Sequence, residues 1–398
     1  MATIWIINQY AMPTSQKQDK RHNFFAESLS RLGHSVTIIS ANHHHLMPKI
    51  RDNFEVSKLN YNTHLVSVPR YDSAHDLKRI LAWFVFSFKL CWLPKKLKQK
   101  PDIVIVSSPS LISFLGAECV AKWNKSKLIF EVRDIWPLTL IEIGNFSKKH
   151  PFIKFLQWIE IRALLKSDHI ITTMPGGPDY VKSHIGSNDK THWIPNGIDM
   201  SRISISSLKT DRIEQKSKQF LVGYTGTLGL ANSVETIISA ASTLKNDTSV
   251  QFLIMGEGRC REDLINQVNF LELSNVKFIP QGSEEEVTKI LEKLDAGLLC
   301  WRNSSLYQFG TSAAKLPRYL AAGKPVIQAY SGYYDPVIFN KVGITVPAEN
   351  GKEVAKAIKM LQFMPNDERK ELSKNARRLA SSQFSFQEIS KKLQKILF

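Results

Sequence analysis

The sequence predicts an α/β protein built from two doubly wound parallel-sheet domains, and three observations carry that prediction. At 398 residues the chain is too long for one ordinary hydrophobic core. Short apolar runs alternate with segments of helical spacing, which is the pattern of βαβ units. The alternation breaks once, at the polar and charged stretch 201–218, and then starts again.

Residues 4–8 form the first apolar run, 24–32 have helical spacing, and the Gly33-His34 turn leads into a second run at 36–40. Strands at 103–107, 128–132 and 169–173 follow, with helices at 111–123 and 152–166 between them. In the second half, strands at 220–225, 250–255, 276–279 and 296–300 alternate with helices at 233–244, 261–271, 284–294 and 315–322. The division expected is 1–200, 201–382 and a closing segment 383–398. Ligands of such sheets collect beyond the carboxyl ends of the strands.

Composition excludes several classes. Hydrophobic residues make up 43% of the chain, enough for real cores, and Gly and Pro are dispersed rather than massed in a linker. Cys91, Cys119, Cys260 and Cys300 stand far apart, against a zinc site or a disulfide framework and in keeping with a reducing cytosol. The opening MATIWIINQY reads as a first strand rather than an export signal. The net charge of +17 favours an anionic surface, yet no zinc-finger spacing, ribonucleoprotein motif or basic-aromatic run supports nucleic acid.

The most apolar window, 80–93 (ILAWFVFSFKLCWL), is well short of the roughly 20 residues that cross a bilayer, and Lys89 interrupts it. Pro94 and the basic run Lys95, Lys96, Lys98 and Lys100 follow. The pattern suits a helix lying on an anionic membrane, with Trp83 and Phe86 touching the lipid. A core helix with a solvated basic end is the alternative.

Several residues are candidates for chemistry. The loop Gly223-Tyr224-Thr225-Gly226-Thr227-Leu228-Gly229 leaves a strand and enters a helix whose start is marked by Asn232 and Glu235, a capping pair. Glycines and free amides there would cradle a phosphate, although a tight βα turn needs glycine for packing in any case. Ser312 and Lys315 open a later helix, where a cation opposes the macrodipole unless an anion sits there; a solvated lysine is the other reading.

Glu131, Arg133 and Asp134 gather beside Trp136 at a strand's carboxyl end, a place suited to a site, with Trp136 alternatively a packing residue. Arg21-His22 enters the first helix, where His22 is placed to bond a sugar hydroxyl or to serve an ordinary structural role. The run His43-His44-His45 lacks the companions of a metal site and reads as a surface loop. No P-loop, zinc-protease helix or nucleophile elbow occurs.

Taken in order, NQYAMPTSQ, RHNFFAESLSRLGHSVTIIS, SSPSLISFLGA, FEVRDIWPLTLIEIG, WIPNGID, GYTGTLGLANSVETI, IMGEGRCREDL and FGTSAAKLPRYLAAGKPVI resemble the family-4 retaining glycosyltransferases, in particular the bacterial branch that builds O-antigen and capsule. The resemblance implies the GT-B fold, two Rossmann-like parallel-sheet domains facing a central cleft, with the helix 386–397 crossing back to the first. It implies a nucleotide-sugar donor, a UDP-sugar, in the second domain, held by Gly226, Thr227, Leu228, Gly229, Gly256, Gly258, Arg302, Gly310, Thr311, Ser312 and Arg318. His22 and Lys315 would serve catalysis, while Arg21, Arg133, Asp134 and Trp136 would shape the acceptor side. No cofactor and no metal is implied, because helix termini and basic side chains stabilise the leaving diphosphate.

Three departures from the family pattern stand out. Gln18-Asp19 replace a glycine pair, Ala313-Ala314 replace Pro-Asn, and Arg318 stands where a carboxylate usually holds ribose hydroxyls. Arg318 would bind an extra anionic group on the donor, leave the ribose to backbone groups, or mark a weakened enzyme. The expected activity is transfer of a hexose or N-acetyl(deoxy)hexosamine to a polyprenyl-diphosphate-linked saccharide at the inner face of the cytoplasmic membrane. The alternatives are a catalytically silent nucleotide- or glycan-binding partner in polysaccharide assembly, and a GT-B sugar-nucleotide epimerase.

Overall fold

The computed structural model describes residues 1–12, 20–44, 59–71, 76–202 and 219–398. The chain divides into two units, Met1–Pro195 with Ile389–Phe398, and Asn196–Glu388. Gln18-Asp19, His45 and most of the polar stretch 201–218 lie outside the described residues.

The first unit is built on seven parallel strands: β1 (Thr3–Ile7), β2 (Ser35–Ala41), β3 (Asn62–Val66), β4 (Ile103–Ser107), β5 (Lys127–Val132), β6 (His169–Thr172) and β7 (Thr191–Trp193). Their order is β3-β2-β1-β4-β5-β6-β7. Central strands such as TIWII and IVIVS are apolar on both faces because helices cover both faces. Those helices are α1 (Lys20–Arg31), α2 (Lys78–Leu97), α3 (Ile112–Asn124), α4 (Leu138–Glu142), α5 (Pro151–Lys166) and α6 (Gly177–Ile185). At the start of α5, Pro151 takes the first helical position and the His150 side chain accepts from Phe152 N.

The second unit carries β8 (Phe220–Thr225), β9 (Val250–Met255), β10 (Val276–Ile279), β11 (Ala296–Cys300), β12 (Val326–Ala329) and β13 (Gly343–Val346). All are parallel, in the order β10-β9-β8-β11-β12-β13. The helices are α7 (Glu235–Thr243), α8 (Arg261–Phe270), α9 (Glu284–Lys293), α10 (Lys315–Ala321), α11 (Pro336–Phe339), α12 (Gly351–Phe363), α13 (Asn366–Leu379) and α14 (Phe386–Leu397). A capping box between Ser283 and Glu286 starts α9. The end of α14 belongs to the first unit, where Ile389, Leu393, Ile396 and Leu397 join Ile4, Ile6, Phe25 and Ile105 in one core cluster.

Helix α2 resolves the reading of window 80–93 against its two named aromatics. Trp83 and Phe86 are buried, together with Ala82, Leu90 and Leu93. The helix seats on α3: Ser87 Oγ donates to Ile112 O at 2.7 Å and accepts from Gly116 N at 2.9 Å. A Cβ on Gly116 would lie 2.2 Å from Ser87 O, so the approach demands glycine there. Among the described residues no helix is long and apolar enough to cross a membrane.

The histidine run is not a free surface loop. His44 is buried with its ring edge-on to Tyr10 at 5.5 Å, and His43 Nε2 lies 2.7 Å from Tyr71 O. The rings fill space beyond β2 that the sequence reading assigned to solvent.

Candidate functional site

In the second unit the strand order reverses between β8 and β11, and the loops leaving these two strands meet at that switch point. The turn after β8 folds against the turn after β9. Gly226 N donates to Met255 O at 2.9 Å, Leu228 N donates to Glu257 O at 2.9 Å, and Cys260 N donates to Leu228 O at 3.0 Å. Gly226 has φ 149° and Gly256 has φ 154°, and a Cβ on Gly256 would lie 1.9 Å from Gly226 O. Gly258 backs onto Leu228 in the same way.

This corrects the expected cradle. The amides of Gly226 and Leu228 are spent on the neighbouring turn, and the Leu228 side chain is buried in the core, so it anchors the turn. The amides of Thr227 and Gly229 make no hydrogen bond among the described residues.

Asn232 is not a helix cap. Residues Leu230–Asn232 form a single 3₁₀ turn, Ser233 takes φ 39°, and α7 starts at Glu235 without a side-chain cap. The loop after β11 and the first residue of α10 clamp this turn at three successive residues. Arg302 Nε donates to Leu230 O at 2.5 Å, Tyr307 Oη donates to Ala231 O at 3.2 Å, and Lys315 Nζ donates to Asn232 Oδ1 at 2.6 Å. Asn232 Nδ2 and Tyr224 Oη both donate to Thr227 O, at 3.0 and 2.6 Å. Arg302 also lies 3.7 Å from Glu235.

Lys315 converges on this turn and is not a solvated lysine. Its Nζ lies 4.6 Å from the centre of the buried Tyr224 ring, and a Cβ on Gly226 would lie 2.2 Å from Lys315 Cε. Burial pushes its pKa down to about 8. No carboxylate pairs with it among the described residues, so its partners are an amide oxygen and a π face. The macrodipole argument matters less, since α10 has only seven residues.

The remaining predicted donor residues spread around the same loop. Gly310 takes φ 93°, Thr311 is half-buried, and Ser312 O accepts from Asn196 Nδ2 at 2.7 Å. Arg318 is half-buried, and its Nη2 pairs with Glu284 Oε1 at 2.9 Å.

In the first unit, Arg21 and His22 are buried and held by protein partners. Arg21 Nε donates to Glu131 Oε1 at 2.8 Å, and its terminal nitrogens donate to Pro195 O at 2.5 Å and Ile194 O at 2.9 Å. His22 is fully buried, with Nε2 2.8 Å from Glu131 Oε2 and 2.9 Å from Ser107 Oγ. Tyr10 N donates to Asn8 Oδ1, which orients the Asn8 amide so that Nδ2 donates to His22 Nδ1 at 3.2 Å and the ring proton sits on Nε2. Burial pushes the Glu131 carboxyl up, but Arg21 and His22 outweigh it and hold it well below the usual carboxylate range.

Trp136 is likewise a packing residue, edge-on to Trp83 at 5.8 Å. Arg133 and Asp134 remain at the carboxyl end of β5, with Asp134 exposed and the Arg133 amide donating to Ser108 Oγ at 2.9 Å. Tyr224, Asn8 and Ser107 escaped the sequence reading as partners. Glu131 carried a usable signal, because a carboxylate inside the apolar strand KLIFEV requires a buried counter-charge.

Two doubly wound parallel-sheet units in one chain are the architecture of the GT-B fold. Two family models match in tandem, one described as Glycosyltransferase Family 4 over residues 24–202 and one as Glycosyl transferases group 1 over residues 207–379. The chain belongs to the GT-B glycosyltransferases. A sucrose-phosphate synthase from Thermosynechococcus elongatus is similar with TM-score 0.78 at 15% identity, covering 100% of this chain and 98% of that one. Anabaena HepE in complex with UDP and glucose has TM-score 0.70 at 13% identity, covering 100% and 99%. WaaG, a glycosyltransferase involved in lipopolysaccharide biosynthesis, has TM-score 0.66 at 16% identity, covering 99% of each. At such identities the likeness is one of fold. No curated protein sequence matches the chain.

Proposed function

We propose that the chain is a retaining transferase. It moves a hexose or N-acetyl(deoxy)hexosamine from a UDP-sugar to a polyprenyl-diphosphate-linked saccharide at the anionic inner face of the cytoplasmic membrane, during assembly of O-antigen or capsule. The observation that carries the reading is Lys315, a partly buried amine with only neutral partners at the switch point of the second unit. A diphosphate would be its first counter-ion, and the open amides of Thr227 and Gly229 would add hydrogen bonds.

In this reading the bond from the sugar to the diphosphate breaks as the acceptor oxygen bonds the same face of the sugar. The hydroxyl proton passes to the departing phosphate oxygen, so no protein base is needed. Lys315 stabilises the negative charge that the leaving group gathers. Arg133 and Asp134 are the acceptor-side residues of the proposal, whereas Arg21, His22 and Trp136 hold the scaffold. The HepE complex with UDP and the lipopolysaccharide role of WaaG support the donor and pathway classes by analogy of fold.

The test incubates purified protein with a panel of nucleotide sugars and membrane lipid extract, with products read by mass spectrometry. A donor-dependent lipid product is expected; absence of both product and nucleotide release overturns the reading. Lys315→Ala should lower kcat by roughly a hundredfold with acceptor binding unchanged. Unaltered turnover in that variant removes Lys315 from the mechanism.

A further inference from the structure

We infer that the outer faces of α2, α3 and α5 form one docking surface for an anionic lipid bilayer. The inference rests on the membrane part of the proposed function and not on its chemistry, since no residue of the Gly226 turn takes part.

On α2 the exposed residues are Leu81 (54%), Phe84 (43%), Phe88 (67%) and Trp92 (51%). Steps of three, four and four place them on one stripe opposite the buried face that seats on α3. Phe84 stacks on Phe155 of α5 at 6.0 Å, and Phe155 stacks on the exposed Trp158 at 6.0 Å. At the other end Trp92 meets the exposed Trp123 of α3 edge-on at 6.1 Å. Single exposed apolar residues are ordinary, but a band continuous over three helices marks an interaction surface.

The rim of the band decides what covers it. Lys95 lies over the Trp92 ring at 5.3 Å and Arg162 over the Trp158 ring at 5.6 Å. Lys95, Lys96, Lys98 and Lys100 have no carboxylate partner among the described residues. Lysine is depleted from protein interfaces, whereas tryptophan and lysine together suit the boundary between acyl chains and headgroups. Four unpaired ammonium groups at one end of the stripe select anionic headgroups. With no described helix able to span, the face would lie flat, its rings below the headgroups and its amines among them.

Co-sedimentation with vesicles of phosphatidylcholine, with and without phosphatidylglycerol, tests this. Wild-type protein should partition at least about tenfold better onto the anionic vesicles and be released by salt. Phe88→Ser/Trp92→Ser/Trp158→Ser should lose at least about tenfold of that partition with an unchanged melting temperature. Lys95→Gln/Lys96→Gln should lose the preference for anionic vesicles.

Wild-type protein that ignores both vesicle types overturns the inference, as does a triple variant that binds like wild type. A triple variant that differs only in self-association assigns the face to a second copy of the chain and also overturns it. UDP release from donor, measured without vesicles, separates the two readings. Release without vesicle binding sinks the docking surface alone, and vesicle binding without any turnover sinks the transferase alone.

Discussion

A lysine amine held between a neutral amide oxygen and an aromatic face is poised differently from a surface lysine. With its pKa pushed down to about 8 by burial, Lys315 loses its charge as pH rises through that value. The sign for donor binding follows directly: UDP-sugar affinity should be greatest below pH 8 and should weaken toward tenfold per pH unit above it. Calorimetry from about pH 6.5 to about pH 9.5 measures this, and Lys315→Ala should flatten the profile. For stability the unfolded chain binds the extra proton between about 8 and the ordinary lysine value, so the cost of burying Lys315 eases with rising pH over that window. Sequence located Lys315 and its glycine turn, because glycine and an ill-placed cation are visible in one dimension. It left His22 and Trp136 between site and structural roles and missed the buried partner of Arg21, because a charged pair separated by 110 positions, such as Arg21 and Glu131, leaves no periodic trace.

The turn between β8 and α7 gains its shape from neighbours rather than from its own helix. Arg302, Tyr307 and Lys315 each hold one residue of Leu230–Asn232, so the amides of Thr227 and Gly229 are positioned before any ligand arrives. Gly226→Ala should therefore do more than strain one residue at φ 149°. Its methyl group would displace the end of Lys315, so UDP affinity should fall by about tenfold while the melting temperature drops only modestly. Calorimetry and thermal unfolding on the same variant check both halves. Strands of the two central sheets were legible from apolar runs such as IVIVS and AGLLC. The polar strands NTHLV and THW were not, since they lack a continuous apolar run, and the short strands VIQA and GITV were missed as well. Helix α7 begins later than its capping residues suggested because Lys315 claims Asn232 for another role.

At the level of the whole chain, each unit has its own parallel sheet, yet the first borrows its last layer from the far end of the sequence. Ile389, Leu393, Ile396 and Leu397 are buried against β1, β4 and α1 residues. Their burial stabilises the first unit by about 6–12 kcal/mol as an upper figure, comparable with the entire margin of a typical domain. A chain ending at Glu388 should leave the second unit folded and the first open, which hydrogen exchange resolved by peptide would detect as loss of protection in β1 to β7 alone. Equal protection in both would show that the tail is dispensable.

The order of manufacture then conflicts with the order of completion. The first sheet is complete in sequence at Trp193, but the helix that seals one of its faces starts only at Phe386, after the whole second sheet has been made. At usual elongation rates that face waits on the order of tens of seconds for its cover. The nascent protein is thus most adhesive in the half that was made first, until residues 389–397 arrive to cover it.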